Sequence, residues 1–97
     1  MNLENLIPIP RLSTHYQVEI EFFTNLSEMG LIEIKTIEEM QYIHSDAIYE
    51  IEKIMRMHHE LDVNIEGIDV VIKLIKKIDR LQNELISVKN RLRLYES

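Results

Sequence analysis

The chain has 97 residues and no cysteine. That excludes a disulfide framework, a thiolate metal site and a cysteine nucleophile. Glycine occurs only at Gly30 and Gly67, too few for a loop that cradles phosphate. Ser13, Ser27, Ser45 and Ser87 lack the flanking glycines of a nucleophile elbow. The carboxylates are spread over helix faces rather than gathered as an acid–base pair, so no enzyme is expected and no cofactor. Apolar runs fall short of the roughly 20 residues that cross a bilayer, and the N-terminus lacks a basic stretch followed by an apolar one. The expectation is a mature, soluble, cytoplasmic protein without membrane association.

Basic residues are scarce in one half. Residues 1–52 carry only Arg11 and Lys35 against ten acids, a net of −8. Residues 53–97 carry nine basic residues against seven acids, a net of +2. An acidic head on a mildly basic stalk repels phosphate, and suits a basic partner better than nucleic acid.

What the chain has in abundance is heptad order. Val71, Leu74, Ile78, Leu81, Leu85, Val88, Leu92 and Tyr95 occupy successive a and d positions without a gap. Asn64 is placed to cap this helix, Glu66 lies in its first turn, and Val63 and Ile68 have the spacing of a hydrophobic staple. Gly67 reads as a weak spot, costing about 1 kcal/mol against alanine inside a helix. Ile68, Ile72 and Ile75 widen the apolar face over the first two turns, where the helix must leave a globular body. The rest of a ~50 Å helix has nothing in a 60-residue head to pack on, so a homodimer is expected. The division is a head at 1–62 and a dimerisation helix at 63–97.

In the head, Pro8 and Pro10 set an extended entry, with Pro10 opening a short helix to about His15. Residues 1–7 read as a tail or edge segment. A second helix is expected over Ile20–Met29, with Ile20, Phe23 and Leu26 inward, Phe22 near the edge, and Gly30 ending it in the left-handed conformation. From Ile32 to Ile43 the period becomes two, broken at Glu38-Glu39: a small hairpin. Ser45 is expected to cap a third helix to about Glu60, with Ile48, Ile51, Met55, His58 and Leu61 inward and Glu52 paired to Arg56 outward. His58-His59-Glu60 is the densest group of metal-ligand types. Neighbours on a helix point about 100° apart and no His-Glu-x-x-His spacing occurs, so no metal site is expected. His58 reads as core filling, His59 as solvated or capping.

Helix, turn, helix, Gly30-Leu31, hairpin, capped helix and long helix opening on Ile65-Glu66-Gly67-Ile68: this order resembles the MerR-type winged helix-turn-helix. Met29-Gly30-Leu31-Ile32-Glu33, His59-Glu60-Leu61 and then Leu74, Leu81, Arg91 and Leu92 narrow the resemblance to the CbpM family of chaperone modulators, over roughly residues 9–95. Two departures stand out: Gln17 where such turns commonly carry glycine, and Glu19 where the cap is usually serine or threonine, a place in which a carboxylate is expected to do the same work.

The resemblance implies a mainly α fold, a MerR-like winged helix-turn-helix head with a small β-hairpin and a long C-terminal dimerisation helix, the helices running antiparallel. It also implies the partner, the J-domain of a DnaJ-type co-chaperone, restrained in its action with Hsp70. The alternative is a MerR-like transcription regulator. Between Leu12 and Ile34 there is no lysine or arginine while Glu19, Glu21, Glu28 and Glu33 are present, so DNA binding is not expected. The candidate partner-binding residues are Asp46 and Glu50, spaced to share one face of the third helix, then Glu60, then Glu19, Glu21 and Glu28.

Overall fold

The computed structural model describes residues 4–96; the expectations for Met1–Leu3 and for Ser97 lie outside the described residues. Strand β1 is Leu6–Pro8, helix α1 Ile9–Tyr16, helix α2 Ile20–Glu28, strand β2 Lys35–Ile37, strand β3 Met40–His44, helix α3 Ile48–Glu60 and helix α4 Ile65–Glu96. The fold is mainly helical around one small antiparallel sheet, with β3 in the middle.

The hairpin and its turn fall where the alternation places them. Ile37 faces Met40 across a two-residue turn in which Glu38 (φ 48°) and Glu39 (φ 68°) are both left-handed, as a type I′ turn requires. The strands are shorter than the alternation suggests, since Ile32 is buried ahead of β2 and Ile34 packs beside the core without pairing. The third strand decides between the two readings of the N-terminal segment. Leu6 and Ile7 face His44 and Ile43, so this part of it is an edge strand, its last residue the proline an edge tolerates.

Helix α1 starts at Ile9 with Pro10 one residue in, and ends through Gln17 in the left-handed region (φ 57°, ψ 48°). The Val18 N–H bonds to the Ser13 carbonyl there, and the Ser13 hydroxyl donates to the Val18 carbonyl. Gln17 does a glycine's work at a steric cost. Helix α2 ends as its sequence predicts. Gly30 has φ 77°, its N–H reaches the Ser27 carbonyl, and the Leu31 N–H reaches Leu26, which makes a Schellman stop.

Three details of the sequence reading are corrected. Glu19 stands at the N-cap of α2 but its side chain makes no capping bond; its carbonyl accepts from Phe22 instead. Ser45 does not cap α3. A single 3-10 turn, Ser45–Ala47, precedes that helix, and His44 caps the turn by accepting the Asp46 N–H on Nδ1 at 3.1 Å. Glu52 is met not by Arg56 but by the Tyr16 hydroxyl, which donates to its Oε1 at 3.4 Å.

The core gathers Ile9 and Leu12 from α1, Phe22, Phe23 and Leu26 from α2, Ile43 from β3, Ile51, Ile54 and Met55 from α3, and Ile68 and Ile72 from α4, with Ile32 between elements. Ile20 and Leu61, expected inside, are exposed, and Phe22 takes the place given to Ile20. Helix α4 packs on the head over its first two turns through Ile68 and Ile72, as its widened apolar face implies. Its start is built as its sequence implies: Asn64 Oδ1 accepts the Gly67 N–H at 2.8 Å, and Val63 and Ile68 both pack on the core. Beyond Ile72 every described side chain of α4 is exposed. The radius of gyration is 18.1 Å, against about 12–13 Å for a compact chain of this length. The difference is the projecting helix.

Candidate interaction surfaces

The first surface is the stripe on α4. Leu74, Ile78, Leu81, Leu85, Val88 and Leu92 each leave about half their side chain in water, and Tyr95 leaves more. Val71, the first of the series, is half-buried where the helix meets the head. A contiguous apolar stripe of this length marks an interaction surface rather than scattered exposure. On the lower turns an ion pair lies within the helix itself, Lys73 to Asp69 at 2.9 Å.

The second surface is acidic. Phe22, Phe23 and Leu26 turn α2 inward, which leaves Glu21, Asn25 and Glu28 as its outer face. This is the face a helix-turn-helix protein would present to a DNA groove, and its charges have the wrong sign. The wing is no better suited, since Glu38 and Glu39 form its tip and Lys35 is its single cation.

The six acids singled out in the sequence fall in different places. Glu19 and Glu21 share a shallow hollow with Asn25, His58 and His59. Glu28 lies at the far end of α2. Asp46 is in the 3-10 turn, 3.4 Å from His44 Nδ1, in a hollow shared with Glu33 and Lys35. Glu50 is on α3, 3.9 Å from Lys53 Nζ, on the rim of another groove. Asp46 and Glu50 therefore line separate depressions rather than one helical face. Glu60 is exposed at the last turn of α3.

Both histidines of the candidate cluster hold the fold together. His58 stacks on Phe22 with ring centroids 4.6 Å apart, and its Nδ1 donates to the Val63 carbonyl at 3.3 Å. His59 Nε2 donates to the Tyr16 carbonyl at 3.0 Å, capping the C-terminal end of α1. His58 fills the apolar face as expected, and His59 caps a neighbouring helix instead of its own. Among the described residues no three His, Asp or Glu side chains converge as metal ligands.

Two features had no counterpart in the sequence reading. Lys53 Nζ sits 4.3 Å above the Tyr49 ring while reaching Glu50, which ties up one of the head's few cations. A groove of 470 Å³ also opens between α3 and α4, floored by Met57, Val63, Ile72 and Ile75. The first is a contact between residues three and four apart within α3, whereas the groove depends on the angle at which α4 leaves α3.

Residues 7–90 match the family model described as MerR HTH family regulatory protein, which spans most of the chain. No curated protein and no solved structure gives a match. Among the described residues no helix is long and apolar enough to cross a membrane.

Proposed function

We propose that this chain, which belongs to the MerR HTH family of regulatory proteins, is a non-enzymatic, cytoplasmic modulator that binds the J-domain of a DnaJ-type co-chaperone and blocks its action with Hsp70. The observation that carries this reading is the charge of the surface a DNA reader would use. Glu21 and Glu28 flank the outer face of α2, Glu38 and Glu39 form the wing tip, and no lysine or arginine lies between Leu12 and Ile34. Nucleic-acid affinity rests on cations set against phosphate, so this surface supplies the opposite of what DNA requires. A basic helix is what it complements, and the resemblance to chaperone modulators names one, the basic helix of a J-domain. Modulation would then be occlusion, an acidic face covering cations that Hsp70 needs. The exposed stripe on α4 supports a homodimer that presents two such heads.

The test is a titration of the purified chain against isolated J-domains and, separately, against DNA duplexes at physiological salt. The expected outcome is micromolar or tighter J-domain binding that weakens with salt and suppresses J-domain stimulation of Hsp70 ATPase. A nanomolar complex with one duplex and a steep salt slope, without J-domain binding, would establish the transcription-regulator alternative instead.

A further inference from the structure

Helices α3 and α4 meet at the connection 61–64 and part from it, since beyond Ile72 every described side chain of α4 is exposed. The groove they leave has a volume of 470 Å³, within the roughly 300–1,000 Å³ of small-molecule sites. Met57, Val63, Ile72 and Ile75 form its floor, and Leu61 stands at the end where the helices join. Ile75 is 43% exposed and Leu61 67%, so this lining is apolar surface in water rather than closed core. No side chain of the floor asks for a hydrogen-bonding body. An apolar one gains by displacing water there.

The rim is charged, and its charges do not balance. Glu50, Lys53, Arg56, Lys76 and Asp79 surround the floor. Lys53 Nζ is 3.9 Å from Glu50 and 4.3 Å from the centre of the Tyr49 ring, so both members of that pair are engaged. Arg56 and Lys76 are exposed, and among the described residues neither forms an ion pair. Of the lining acids only Asp79 is left to set against them. On a chain of net charge −6, that is a local excess of the scarce sign. Arg56 comes from α3 and Lys76 from α4, so each wall presents one cation. A guanidinium holds a carboxylate or phosphate in a two-pronged bond, and an ammonium adds a point charge.

We infer that the α3/α4 groove is a binding site for a small amphipathic anion, an apolar body carrying one carboxylate, sulfonate or phosphate. The body lies on Met57, Val63, Ile72 and Ile75, and the anionic end meets Arg56 and Lys76. Such a ligand touches head and stalk at once and stabilises their junction by mass action. The site is separate from the acidic outer face of α2, so it stands or falls independently of J-domain binding.

The test is calorimetric titration of the full chain with hexanoate, octanoate and decanoate below their micelle concentrations. Decyltrimethylammonium supplies a body of the same length with the opposite charge. Affinity is expected to rise about two- to fourfold per added methylene, because each is buried on the apolar floor. Decanoate should bind roughly tenfold more tightly than the ammonium, since only the anion meets two free cations. Arg56→Gln and Lys76→Gln, at exposed positions, should leave thermal unfolding of the free chain unchanged and each weaken decanoate binding about fivefold or more. Arg80→Gln removes the same charge outside the groove and should change binding less than about twofold. Equal binding of the two amphiphiles, or equal effects of the three substitutions, overturns the anion site. Affinity that does not grow with chain length overturns the apolar floor as its seat. Absence of binding overturns the inference outright. So does binding seen only after dilution to monomer, which would mean that a second copy already fills the groove.

Discussion

A Cβ placed on Gly67 would stand 2.7 Å from Cγ1 of Val63 and 3.1 Å from Oδ1 of Asn64. The glycine lets the stapling valine and the capping asparagine both close on the first turn of α4. Helix propensity alone predicts that Gly67→Ala gains about 1 kcal/mol. Valine is β-branched and stiff, and overpacking of this kind costs about 1–3 kcal/mol. The expected net effect is a loss of up to about 2 kcal/mol in urea unfolding, since the clash outweighs the propensity. In a Val63→Ala background the 2.7 Å clash is gone, only the 3.1 Å approach to Asn64 is left, and Gly67→Ala should stabilise. A change of sign between the two backgrounds is the result that confirms the contact.

Glu38 and Glu39 both occupy left-handed backbone at the wing tip, where asparagine followed by glycine is the favoured pair. The double substitution E38N/E39G should therefore stabilise the fold by about 1 kcal/mol. It should also leave hairpin register unchanged, as judged by amide exchange of β2 and β3. An unchanged or lowered stability would mean that the two carboxylates make contacts that offset their strain.

Tyr16 ionises less readily than a free tyrosine because burial disfavours the phenolate, with the Glu52 carboxylate repelling it and accepting the hydroxyl proton in a hydrogen bond. The folded pKa lies above the unfolded value. Its stabilising contribution is therefore complete below about pH 10 and is lost as pH rises through the folded pKa. The difference in phenolate absorbance between wild type and Tyr16→Phe isolates this group. Its midpoint should fall in Glu52→Gln, toward the ordinary value without reaching it, because burial remains. A midpoint unmoved by Glu52→Gln would show that the carboxylate contributes nothing.

Local rules are legible in the sequence; encounters between distant segments are not. The Schellman stop at Gly30, the Asn64 cap and the two-residue wing turn are each written within a few residues, and each stands where those residues place it. The edge strand Leu6–Pro8 exists only because β3, some 35 residues later, offers its free edge, and no pattern in three residues announces that. The Tyr16–Glu52 and His59–Tyr16 bonds likewise join α1 to α3. Helical facing misassigns Ile20 and Leu61 because both sit at ends, where the chain turns away from the core. The acids of the candidate surface are legible as charge but not as a place. Asp46 and Glu50 share a helical spacing, yet the 3-10 turn between His44 and Ile48 rotates one away from the other.

Leu81 lies at the middle of the stripe with nearly half its side chain in water. Leu81→Asp should therefore leave the head folded, with wild-type protection of β3 in hydrogen exchange. In a dimer it would bury an unpaired charge, costing several kcal/mol of association. Light scattering should report monomer at concentrations where wild type is dimeric. A wild-type chain that is itself monomeric at high micromolar concentration contradicts the proposed dimer.

The separation of the acids changes how the partner surface should respond to charge reversal. Glu21 and Glu28 bracket one face of α2, so a basic helix laid along that face would meet both. Glu21→Lys with Glu28→Lys is expected to weaken J-domain binding at least tenfold, or about 1.4 kcal/mol, and to flatten its salt dependence. Circular dichroism and dimerisation should be unaffected, because neither carboxylate packs on the core. Asp46→Lys and Glu50→Lys, lining different hollows, should act independently, and their effects should add. Glu50→Lys also removes the partner of Lys53 beside the α4 seam, so its effect on dimerisation must be measured first. Asn83→Lys, on the outer face of the stalk, should change J-domain binding less than twofold. If the stalk substitution weakens binding and the reversals on α2, the 3-10 turn and α3 do not, the partner lies along α4 and the acidic head is only a solvated surface.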